Sequence, residues 1–194
     1  MAIIFFFYGL AFFSMGLAVW LEGGRASDAR LRHALQPLAL FGLIHGGHEW
    51  LEMFQFLGLL PLPSNNATWE SIRLGIIVIS FLPLALFGGL LFASSERLQQ
   101  SLLFIPLGLA GGWAIGSLAI SSQQLSEPQL WPALDAWARY SLGVPSALLA
   151  AAGLVVQQRA FRRAGLSRFG RDSLWAAIAF FWYGAVRRWW PYFD

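Results

Sequence analysis

Long apolar runs separated by short polar stretches set the pattern of this chain. The first run, "MAIIFFFYGLAFFSMGLAVWLE", gives way to "EGGRASDAR", and the alternation continues through "PLPSNNATW", "SSERLQQ", "SSQQLSEPQLWP" and "RRAGLSRFGRD". A helix needs about 20 apolar residues, each rising 1.5 Å, to cross hydrocarbon, and Gly, Pro, Asn and Ser clusters mark the turns between such helices. The pattern therefore predicts six transmembrane helices, at about 2–22, 34–60, 70–94, 99–122, 136–158 and 173–190. The expected fold class is all-α: a polytopic membrane helical bundle forming one domain over residues 1–194. The first run has no basic leading segment and no A-x-A-like cleavage site, so it is expected to be kept as a helix rather than removed as a signal peptide. Pro83 and Pro145 are expected to kink the third and fifth helices. Gly9, Gly16, the "FGG" at 87–89 and the "GLAGGWAIG" at 108–116 would let helices approach closely.

Composition agrees with that reading. Hydrophobic residues make up 57% and charged residues 12% of the chain, with a mean hydropathy of +0.58, whereas a soluble domain carries about 25% charged residues. Cysteine is absent, which excludes disulfides and thiolate metal sites. A formal charge of +3, carried largely in loops, gives no reason to expect a nucleic-acid partner. It reports topology instead. Arg25, Arg30 and Arg32 fall in the first loop, Arg97 in the third, and Arg159, Arg162, Arg163, Arg168 and Arg171 in the fifth, while 61–69 and 123–135 hold none. By the positive-inside rule the odd loops are cytoplasmic, which predicts a multi-pass protein of the bacterial inner (plasma) membrane with its N-terminus outside. The closing "RRWWPYFD" offers Trp189, Trp190 and Tyr192 as an interfacial belt, yet sets Arg187 and Arg188 on the disfavoured side. The expected surroundings are the lipid bilayer and either other membrane chains or further copies of this one, against helices four and six.

Polar residues within the spans carry the chemistry. "HGGHEWLEMF" places His45, His48, Glu49 and Glu52 in one apolar run, and at 100° per residue all four fall within one arc of about 100° on a single helical face. Counted from a cytoplasmic end near residue 34, His45 lies about 17 Å deep and Glu52 about 27 Å deep. "TWESIRLG" adds Glu70 and Arg73, and "PALDAWARY" adds Asp135 and Arg139; each stretch puts an acid at the outer interface and an arginine one turn inward. Pairing of Glu49 and Glu52 with Arg73 and Arg139 could hold helices in register and do nothing more. Ionisable groups at membrane depth are by default a ligand, proton or ion site, and salt-bridge glue has no use for two imidazoles. His45 with Glu49 and His48 with Glu52, each spaced i,i+4, could each chelate a divalent transition metal, zinc or iron. Glu70, Arg73, Asp135 and Arg139 would then line a ligand-binding site beside it. His33, next to Arg32, is expected to be solvated.

No nucleophile elbow, phosphate loop, nucleotide fingerprint or kinase motif occurs, and a membrane enzyme with a His/Glu metal centre is the weakest reading, because only helix two offers imidazoles. The stretches "YGLAFFSMGLAVWLE", "LALFGLIHGGHEWLEMF" and "ARYSLGVPSALLAAAGL" together resemble the multi-helix membrane input region of certain bacterial sensor histidine kinases. The resemblance covers roughly three-quarters of the chain, from helix one to helix five, at the level of pattern. It implies a seven-helix sensor joined to cytoplasmic signalling domains, with Glu22, His45, His48, Glu49, Glu52 and Arg139 as shared polar positions. No seventh helix and no transmitter domain lie within these residues, which departs from that family. The expectation is a sensory, ligand-binding membrane module with a polar His/Glu site in the outer half of the bundle. The alternative is a small accessory subunit packed in a larger respiratory or photosynthetic complex.

Overall fold

A computed structural model of the chain describes residues 1–24, 29–60, 66–93, 95–163, 165 and 167–186. Arg25, Asp28, Ser64 and the closing residues 187–194, with Arg187, Arg188, Trp189, Trp190 and Tyr192, lie outside the described residues. Helices follow one another as α1 (Ala2–Gly23), α2 (Ala29–Phe56), α3 (Ala67–Leu90), α4 (Glu96–Leu102) and α5 (Phe104–Ser121). After these come α6 (Glu127–Ala138), a π-helical segment (Arg139–Gly143), α7 (Val144–Arg163) and α8 (Ser167–Val186). The described residues contain no strand.

Among the described residues, four helical stretches are long and apolar enough to cross a membrane: Ala2–Gly23, Ala67–Leu90, Gln100–Ser121 and Glu127–Arg163. This corrects the expected six. Predicted span two forms a helix whose composition falls short, and of predicted span six only 173–186 belong to the described residues, as part of α8. Within its 28 residues α2 carries His33, His45, His48, Glu49 and Glu52 together with Gln36 and Gln55, each of which raises the free-energy cost of leaving water. The first turns of α8 hold Arg168, Arg171 and Asp172. Instead of standing free, α2 is sandwiched between α1 and α3, and α8 lies along α7.

Two further differences have local causes. The fifth helix starts at Glu127, not near 136: Pro128 sits in its first turn, where a missing N–H costs little, and Pro132 lies inside the helix. Pro145 does not simply kink the helix. The Val144 N–H bonds back to the Arg139 carbonyl, five residues away, and this wider turn accommodates a proline ring that would otherwise press on the carbonyl four residues before it. The predicted span at 99–122 opens with α4, and Leu103 keeps helical angles (φ −62°, ψ −20°) between α4 and α5.

The core runs through Phe41, Ile77, Phe81, Leu84, Phe87, Leu142 and Ala147, all almost fully buried. Glycine makes the α1–α2 approach possible: a Cβ on Gly16 would lie 2.7 Å from the Leu43 nitrogen and 2.8 Å from the Ala39 carbonyl oxygen. Gly88 meets α7 in the same way, 2.6 Å from the Ala150 nitrogen. Gly108, Gly111 and Gly112 of α5 have open space beside them. Their face packs against nothing in the described chain.

Candidate functional site: a buried His/Glu column

The site grows from the register of α2. His45, Glu49 and Glu52 follow at i, i+4 and i+7, and His48 flanks them on the same face, so one stripe of α2 is polar while Phe41, Leu38 and Ala34 continue it as apolar core. Packing α2 between α1 and α3 turns that stripe inward. His45, His48 and Glu49 are 0%, 1% and 4% exposed, a placement that needs polar partners to be tolerated.

His45 has them on two other helices. Its Nδ1 lies 3.1 Å from the Ser80 hydroxyl oxygen on α3, and its Nε2 lies 3.0 Å from the Tyr183 hydroxyl on α8. Ser80 gives its only hydroxyl hydrogen to the Ile77 carbonyl at 2.7 Å. Its oxygen must therefore accept from His45, which fixes the ring proton on Nδ1 and leaves Nε2 facing Tyr183. Nε2 is also 3.5 Å from the Glu49 carboxylate. Four aromatic rings enclose the imidazole: Phe12 edge-on with centroids 4.8 Å apart, Phe41 stacked at 5.1 Å, Phe81 at 5.5 Å and Tyr183 at 5.9 Å.

One turn along, His48 stacks on His45 at 6.2 Å and holds its Nε2 3.5 Å from a Glu52 oxygen. That same oxygen accepts from Arg73 Nε at 2.7 Å, and Arg73 Nη1 donates to Glu70 at 2.7 Å. Arg73 thus bridges α2 to the first turn of α3, whose leading N–H groups are capped by the Asn66 side chain. Asp135 accepts from Arg139 Nε at 2.5 Å and from Nη2 at 3.1 Å. Asp135 feels the charges of Arg73 and His48, and Glu52 those of Arg139 and Asp135, so the α6 pair borders the same cluster. Six of the eight residues singled out from the sequence are thus joined by direct contacts into one column, and Asp135 and Arg139 pair with each other beside it. Glu22 stands apart: it is exposed at the other end of α1, and His33 is exposed as well.

Ser80 and Tyr183 are the members that sequence reasoning missed. Each is a lone hydroxyl in an apolar stretch ("VISFLP" and "FFWYGAV"), which is a signal, but only the fold shows that both point at one imidazole. The metal expectation lacks a coordination set: among the described residues no group of three or more His, Asp or Glu side chains could hold a metal ion. Both His45 nitrogens already face hydroxyls, and the neighbouring helices answer the acids with arginine. Two cavities, of about 240 Å³ beside Trp20, Arg32 and Gln36 and about 360 Å³ between α7 and α8, include none of the eight residues. No family model, curated protein or solved structure matches the chain.

Proposed function

We propose that this chain is a membrane-embedded sensory module whose His/Glu column is its ligand site. The observation that carries the reading is the near-complete burial of His45, His48 and Glu49 on one stripe of α2, held by side chains from two further helices. A purely structural network would gain register from Arg73 with Glu52 alone, and buried imidazoles in the neutral form add desolvation cost without a charge pair. Groups kept at such a cost are characteristic of sites selected for function rather than stability. The resemblance to sensor histidine kinase input regions points the same way.

Stability separates this from simple helix glue. His48→Leu is expected to raise the unfolding temperature of the purified chain in detergent, because an apolar side chain of similar size replaces a buried polar one. A clear drop in that temperature would make His48 part of the structural frame and count against the sensory reading.

The column would open toward the outer face, with α3 entering from outside, as the arginine distribution implies. The native chain has no thiol, so single cysteines report the topology cleanly. Gln123→Cys should react with an impermeant maleimide in intact cells and Gln100→Cys only after lysis. The reverse pattern would invert the module.

A further inference from the structure

We infer that the ligand of this column is the proton, taken up by His45 Nε2 along a path open to one face of the bundle only. The inference rests on the sensory reading and adds to it the ligand and its route.

Three observations converge. The first is space: the rings of Phe12, Phe41, Phe81 and Tyr183 close on His45 at 4.8 to 5.9 Å, and the residue is 0% exposed. That enclosure excludes a molecule but not a proton. The second is the hydrogen-bond pattern. With Nδ1–H committed to Ser80, Nε2 is the one nitrogen that can change state, and it faces a hydroxyl at 3.0 Å and a carboxylate at 3.5 Å. In the neutral form Nε2 accepts from Tyr183. When a proton from water binds, the N–H donates and the Tyr183 hydroxyl turns from donor to acceptor. The Glu49 carboxylate and the stacked face of Phe41 then stabilise the imidazolium. The proton comes from hydronium: one O–H bond of the donor breaks, one N–H bond forms on Nε2, and water is left behind. Among the described residues, Glu49 and His48 on α2 and Tyr183 on α8 are titratable groups that face His45. From α3 it meets Ser80 and Phe81, and from α1 Phe12, none of which is charged. Arg73 and the Asp135–Arg139 pair act one step further out, on Glu52 and His48.

The third observation is a gradient. Side-chain exposure rises from 0% at His45 and 1% at His48 to 15% at Glu52, 16% at Glu70, 24% at Arg73 and 27–29% at Arg139 and Asp135. Toward the start of α2 the stripe instead runs into Phe41, Leu38 and Ala34, at 0%, 7% and 2%. One side offers exchangeable oxygens and nitrogens within a few ångströms of each other; the other is a hydrocarbon plug. Uptake reverses the Tyr183–His45 bond, which ties α8 to α2, so proton binding is read out on α8.

The chain has three histidines, which makes ¹⁵N-imidazole NMR of the full-length protein in proteoliposomes a direct test, with His33→Gln and His48→Gln assigning the signals. His45 should pass from neutral to imidazolium between about pH 8 and pH 5, the range in which histidine titrates. With the two faces of the vesicles clamped at different pH, its state should follow only the face that carries Glu70. Glu49→Gln should lower the proton affinity of His45 tenfold or more. Phe41→Leu, which keeps the core apolar, should lower it as well and stands in if Glu49→Gln does not fold. A His45 signal that stays in one form across this range, or that follows the opposite face, overturns the proposal. Failure of the underlying sensory reading would show separately, as a loss of stability in His48→Leu.

Discussion

Arg73→Ala is expected to destabilise the bundle by about 3 kcal/mol, the scale seen when one partner of a buried ion pair is removed. The size follows from what the guanidinium holds. It bonds Glu52 through Nε and Glu70 through Nη1, both at 2.7 Å, and Asp135 lies within reach of its charge. Take it away and three carboxylates remain in one poorly solvated region, with Arg139 already engaged by Asp135. Arg73→Lys keeps the charge but cannot present two donors in one plane, so it should fall between wild type and Ala. The double variant Arg73→Met with Glu52→Leu should recover most of the loss, because removing both members of a buried pair is far less costly than removing one. Denaturant unfolding of the purified variants checks all three. A loss under about 0.5 kcal/mol in Arg73→Ala, the size of an ordinary surface change, would mean that the arginine reaches water and the pair is loose.

The charged part of this column was legible before the fold was known, and the reason is geometric. Helical periodicity alone puts His45, Glu49 and Glu52 on one line, and the depth of Arg73 below Glu70 is fixed by counting residues. Partners on other helices are a different matter. Ser80 and Tyr183 are 35 and 138 residues from His45 in sequence, and nothing local to "VISFLP" or "FFWYGAV" says which neighbour their hydroxyls meet. Hydropathy misled on α2 and α8 for the opposite reason: a run of residues can be helical and well packed without being apolar enough to stand in lipid by itself. Proline misled at Glu127–Ala138, since Pro128 and Pro132 read as turn residues although the first turn tolerates Pro128 and the helix runs on through Pro132.

The two glycines between the histidines should behave oppositely. Gly46→Ala is expected to cost about 2–3 kcal/mol, the range for forcing extra atoms into a filled interface. Gly47→Ala should be neutral or stabilising by up to about 1 kcal/mol, the helix-propensity gain of alanine over glycine. A Cβ on Gly46 would lie 2.7 Å from both the Gly9 carbonyl oxygen and the Phe13 nitrogen, whereas one on Gly47 meets nothing within 4 Å. The obstacles at Gly46 are backbone atoms, which cannot swing aside like a side chain, so α1 itself must move outward. That displacement would strain the bond from Trp50 Nε1 to the Phe6 carbonyl, 3.3 Å long, and draw Phe12 away from His45, where the ring centroids are 4.8 Å apart. Gly46→Ala should therefore lose stability and shift the His45 imidazole resonances together, while Gly47→Ala leaves both in place. Equal behaviour of the two variants in denaturant unfolding would contradict the close α1–α2 seam that encloses the imidazole.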